Sequence, residues 1–153
     1  MTERRGEFKI VGLKLNSKTT NQNDQSNKDC GDLWQKFESD KIFDRITDKS
    51  SNEIYAVYFD YEKDETGPFS YFIGCKVDNT DVTPEGLDEL TIPAQNYSMF
   101  TAKGVMTGCI TDAWKKIWSS DIRRSFGFDF EIYDERSRNW NDAEIDIFIS
   151  TIS

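Results

Sequence analysis

The apolar positions of this chain follow two periods. Residues 128–133, F-D-F-E-I-Y, alternate strictly, with Phe128, Phe130 and Ile132 on one face of an extended strand and Asp129, Glu131 and Tyr133 on the other. One face is core; the other sets a carboxylate beside a phenol. Inside a sheet such a carboxylate needs a partner, a raised pKa or a cationic ligand, whereas on an outer antiparallel face it is simply solvated. β-branched and aromatic runs predict further strands at residues 8–15, 53–61, 71–77, 97–103 and 144–151. Helical spacing marks two amphipathic helices. One starts at Gly31 and carries Leu33, Trp34, Phe37, Phe43 and Ile46, with a break near residues 39–40; the other follows Gly104 and carries Met106, Ile110, Ala113, Trp114, Ile117 and Trp118. Residues 16–29 hold no apolar side chain and read as a mobile surface loop, or as a lid over a pocket. A charged turn at 62–68 and a connection through Pro84, Gly86 and Pro93 complete the chain.

The order strand, helix, strand, strand occurs twice, in half-repeats of about residues 7–78 and 95–152 within one domain spanning 1–153. Five of eleven positions are identical at an offset of 80: Asp32/Asp112, Trp34/Trp114, Lys36/Lys116, Ser39/Ser119 and Ile42/Ile122. A-V-Y at 56–58 corresponds to E-I-Y at 131–133, although E-I-Y at 53–55 offers a second register. The pattern predicts an α+β fold of duplicated βαββ units with pseudo-two-fold symmetry. Both helices lie on one face of an antiparallel sheet, and a ligand groove lies on the other face or between the halves. Trp34 and Trp114 are expected to cover the sheet as core.

Composition narrows the chemistry. The 153 residues carry a net charge of −9 and no histidine, which disfavours direct nucleic-acid binding and attraction to an anionic membrane surface. Histidine-dependent triads, dyads and zinc sites are excluded. Cys30, Cys75 and Cys109 lie far apart and never in C-x-x-C spacing, as expected of reduced thiols in a cytoplasmic protein. No metal or cofactor is implied, and no run has the length of a membrane span.

Several motifs, in order, resemble the GyrI-like small-molecule-binding domain, the AraC-type effector-binding and SOUL-related family. They are V-Y-F-D at 57–60, P-E-G at 84–86 with I-P-A-Q-N-Y at 92–97, Gly104 followed ten residues on by Trp114, F-E-I-Y at 130–133, and E-I-D-I-F-I at 144–149. The resemblance covers nearly the whole chain and implies a stand-alone form without the DNA-binding domain that relatives often carry. It implies that Glu131 stands at the centre of an aromatic pocket for hydrophobic, cationic molecules and that Tyr58 lines it. Alternation adds Tyr133, Asp146 and Phe148, and Trp140 could close one end. The expected function is non-covalent binding by a sensor, transcription effector or sequestering protein. The alternatives are a hydrolase of strained-ring genotoxins using Glu131 as general acid or base, and a protein-interaction inhibitor of a topoisomerase.

Overall fold

The computed structural model describes residues 2–47, 49–64, 66–78 and 83–152. Along the chain run β1 (Thr2–Arg5), β2 (Phe8–Lys14), α1 (Gln25–Ser39), α2 (Ile42–Arg45), β3 (Ile54–Phe59), β4 (Ser70–Lys76), β5 (Asp88–Ile92), β6 (Gln95–Gly104), α3 (Met106–Trp118), β7 (Asp129–Tyr133) and β8 (Ala143–Thr151). The strands form one antiparallel sheet in the order β1-β6-β8-β7-β3-β4-β2-β5. This order reads symmetrically about its centre. The units β2-α1-β3-β4 and β6-α3-β7-β8 meet at β3 and β7, which β4 and β8 flank, with β2 and β6 beyond them. The fold is thus α+β and built from two βαββ units.

Register settles which residues correspond. Ala56 pairs with Glu131 across the β3–β7 boundary, and Tyr58 and Tyr133 each lie two residues further along their strand, so A-V-Y at 56–58 is the counterpart of E-I-Y at 131–133. The alternative fails on parity, because Tyr55 packs on the other side of the sheet with Val57 and Phe130.

Both faces are apolar. Leu33 and Phe37 of α1 cover Val11, Leu13, Ala56, Tyr71 and Ile73, while Cys109, Trp114 and Ile117 of α3 cover Ala102, Ile145, Ile147 and Ile149. Both helices therefore lie on the same face. On the reverse face Ile10, Tyr55, Val57, Phe72, Ile92, Tyr97, Phe130 and Phe148 form a single cluster. Ile10 and Ile92 come from one end of the strand order and Tyr97 from near the other, so the sheet curls into a half-barrel over its own aromatic lining. Each fully buried ring there contributes roughly 1.5–3 kcal/mol. Gly12 and Gly74 pair in register, and a Cβ on either would overlap the opposing backbone, so only glycine permits this approach of β2 and β4.

The departures from the apolar pattern have physical causes. β1 and β5 were not legible because edge strands bury little; of β5 only Ile92 is buried. α1 starts at Gln25, inside the stretch expected to be loop, and Thr19 is buried with its N–H and carbonyl paired to Phe69 at 3.0 and 2.9 Å. That stretch is held by polar contacts, such as the Thr19 hydroxyl donating to Asp29 at 2.7 Å, which leave no apolar period. The expected helix break falls at Lys41, whose φ of 53° is left-handed. The charged turn at 62–68 and the connection after residue 78 lie partly outside the described residues.

Candidate functional site

Glu131 occupies the centre of the sheet, between Ala56 of β3 and Ile147 of β8, and is 1% exposed. Its parity turns it to the helix-covered face. Three donors meet it there: the Tyr133 hydroxyl at 2.6 Å to Oε1, and the Tyr58 hydroxyl at 2.8 Å and Trp114 Nε1 at 2.6 Å to Oε2. Strand geometry supplies the phenols, since Tyr133 is two residues along from Glu131 and Tyr58 two along from its cross-strand partner. The third donor comes from α3.

None of these donors is charged. Burial pushes the Glu131 carboxyl upward, and the hydrogen bonds from Tyr133, Trp114 and Tyr58 oppose that shift. Tyr58 and Tyr133 are held well above the usual phenol range, by burial first and then by the Glu131 charge, so they remain donors. Hydrogen bonds to a charged group are worth about 1.5–3 kcal/mol each. They offset a desolvation cost of several kcal/mol without neutralising the charge.

A cavity of about 280 Å³ opens between α1 and α3, across the boundary of the halves. Its walls are Tyr58, Tyr61, Phe69, Trp114 and Trp118 with Cys30, Ile110 and Arg124, and its polar rim includes Asn21, Ser26, Asn27 and Lys115. Tyr58 and Trp114, with ring centroids 5.0 Å apart, both line the cavity and hold Glu131 behind it. Beside them Asp129 accepts from the Tyr61 hydroxyl at 2.6 Å and Arg124 Nη2 at 2.8 Å. Burial, followed by the Glu131 charge, raises the Cys30 thiol strongly and so disfavours its thiolate. A second hollow near Leu13, Lys36 and Asp88 has no aromatic wall. Among the described residues no three His, Cys, Asp or Glu side chains converge as a metal site requires.

The structure brings together Glu131, Tyr58 and Tyr133. It does not bring in the other three expected residues. Phe148 lies on the reverse face, stacked on Phe130 at 5.0 Å, because Ile147 and not Phe148 shares the face of Glu131. Asp146 accepts from Arg136 at 2.7 Å, in a surface network with Asp134 and Glu144. Trp140 is 61% exposed and does not line the cavity; its carbonyl accepts from the Met106 N–H at 2.8 Å. The side of β8 carrying Ile145, Ile147 and Ile149 is the one that shares the face of Glu131 and packs under α3. Of two places open for a ligand, the groove between the halves holds the cavity, and the face opposite the helices is filled by aromatic side chains.

Pattern reading missed Trp114, Trp118, Tyr61 and Arg124. The repeat contained a signal for the first. Trp34, its counterpart, donates through Nε1 to the Tyr71 hydroxyl at 2.8 Å, since the first half has Ala56 where the second has Glu131. Equivalent tryptophans thus reach different acceptors, and one of these acceptors is a carboxylate.

A duplicated βαββ half-barrel with a cavity between its helices and a carboxylate behind an aromatic wall defines an effector-binding, small-molecule-binding fold. The chain belongs to the Cass2 family of integron-associated effector binding proteins, whose profile matches residues 3–150. It is 30% identical over 121 residues to YobU of Bacillus subtilis, named as a transcriptional regulator protein, which covers 77% of this chain and 74% of that one. Its fold is similar to that of an integron cassette protein from the mobile metagenome of Vibrio cholerae, at 25% identity and a TM-score of 0.72, covering 98% of this chain and 94% of that one. It is also similar to SAV2435, solved bound to tetraphenylphosphonium, with a TM-score of 0.77 and 16% identity over 98% of this chain and 92% of that one. No helix among the described residues is long and apolar enough to cross a membrane.

Proposed function

We propose that this protein binds hydrophobic cationic small molecules in the cavity between α1 and α3, as a cytoplasmic sensor or sequestering module. Glu131 supplies the counter-charge, and Tyr58, Tyr61, Trp114 and Trp118 supply the walls. The observation that carries this reading is a fully buried carboxylate whose three donors are all neutral, set behind the aromatic side of a cavity. Its charge remains available to a cation. Each ring facing that cation adds about 0.5–2 kcal/mol. With apolar burial this makes micromolar affinity reasonable, about −8 kcal/mol. The likeness to a protein solved with tetraphenylphosphonium supports the ligand class.

Calorimetry with tetraphenylphosphonium and neutral triphenylphosphine oxide tests the proposal. Glu131→Gln preserves shape and removes charge, so it should weaken the cation by about 1.5–3 kcal/mol and leave the oxide nearly unaffected. Equal loss for both ligands would sink the counter-charge role. The raised carboxyl pKa also fits a general acid. In that second reading the same substitution keeps binding intact and lowers turnover of a strained-ring substrate by about 10²–10⁴.

A further inference from the structure

The wall of the cavity already contains a cation. After α3 the chain is tied to the end of β8: Arg124 bridges Thr151, the Ser125 N–H donates to the Ser150 carbonyl at 3.0 Å, and the Ile152 N–H donates to the Arg123 carbonyl at 3.0 Å. Held in this way, the Arg124 side chain is 6% exposed and lines the cavity. Its guanidinium carbon lies 4.3 Å from the ring centroid of Phe126, 5.6 Å from that of Tyr61 and 5.8 Å from that of Trp114. Its Nη2 donates at 2.8 Å to Asp129, which is itself buried and accepts from the Ser150 N–H at 2.7 Å. A planar cation over aromatic faces, backed by a carboxylate, is the arrangement that a cationic ligand would require.

Resting on the proposed binding function, we infer that Arg124 is an internal occupant of the aromatic cation seat and sets which cations bind. Its guanidinium lies over the Tyr61 and Trp114 rings, and its charge repels an incoming cation at short range. Trp114 is shared between the two charges, with its ring beneath Arg124 and its Nε1 on Glu131. A small cation touches too few of these rings to recover its lost hydration against that repulsion. A broad cation with delocalised charge can, because it also covers Tyr58, Phe69 and Trp118. The ligand class is therefore narrowed to large lipophilic monocations, and Arg124 is the residue that excludes small ones.

The test is calorimetry on wild type, Arg124→Gln and the double variant Arg124→Gln/Asp129→Asn, with tetraphenylphosphonium, tetramethylammonium and triphenylphosphine oxide as probes. Arg124→Gln should tighten tetraphenylphosphonium at least about tenfold, bring tetramethylammonium into the measurable range, and change the oxide by no more than about twofold. Should the buried Asp129, left without Arg124, unfold the single variant, the double variant removes both members of that ion pair and should still tighten the cation about threefold by freeing the rings. Wild-type preference for the cation over the oxide, left unchanged in the folded variants, overturns the role of Arg124 and spares the proposed function. Indifference to charge in wild type and variants alike overturns both.

Discussion

Glu131 is a buried carboxylate with only neutral donors around it, and burial makes its charge costly to the empty protein. Its pKa is raised above the ordinary 4.5, so the folded chain holds that proton more tightly than the unfolded chain. Its contribution to stability is therefore full below about pH 4.5 and is lost as pH rises through the folded pKa. The melting temperature of wild type should fall relative to Glu131→Gln across that window. If Glu131 is the counter-charge proposed above, cation affinity should rise over the same window as the carboxyl ionises. Melting curves and calorimetry on both proteins from about pH 4 to 8 follow the two effects, and a melting difference independent of pH would show that folding does not raise the Glu131 pKa. At this scale the sequence was partly legible. Alternation paired Glu131 with Tyr133, and a motif resemblance added Tyr58. Arg124 stands in an irregular segment, where no period announces which way a side chain points.

The two helices are repeats that have diverged in what they hold. Trp34 donates to a neutral hydroxyl and Trp114 to a carboxylate, so the same substitution should have unequal cost. Trp114→Phe should lose about 1.5–3 kcal/mol at pH values where Glu131 is ionised, and Trp34→Phe about 0.5–1.5 kcal/mol. Urea titration of both variants measures the difference; equal losses would mean that the Trp114 bond gains nothing from charge. The edge strands β1 and β5 and the first turns of α1 were not readable from period; the inner strands and the two long helices, with their order, were. Their faces were less so, because in a sheet covered on one side and curled on itself on the other, both sides of a strand are apolar. That is why Phe148 read as sharing the face of Glu131, when parity puts Ile147 on that face and Phe148 on the reverse one.

Over the whole molecule, curling divides the aromatics into two sets. The reverse-face cluster closes the half-barrel, and the rings between the helices line the cavity. Phe148→Leu should therefore cost about 1–3 kcal/mol of stability yet leave the affinity for tetraphenylphosphonium within about twofold of wild type. A large loss of binding in the still-folded variant would place the ligand on the wrong face. The sequence by itself determined the duplicated units, the antiparallel α+β architecture, the two amphipathic helices and the carboxylate that needs a partner, because periodicity and repetition are local properties of the chain. Only the tertiary structure decided that the cavity lies between the helices, that Trp114 and Tyr58 close over Glu131, and that Arg124 enters the same space. Those contacts join residues from different strands and a helix, and their geometry depends on sheet curl and cross-strand register, which no single segment encodes.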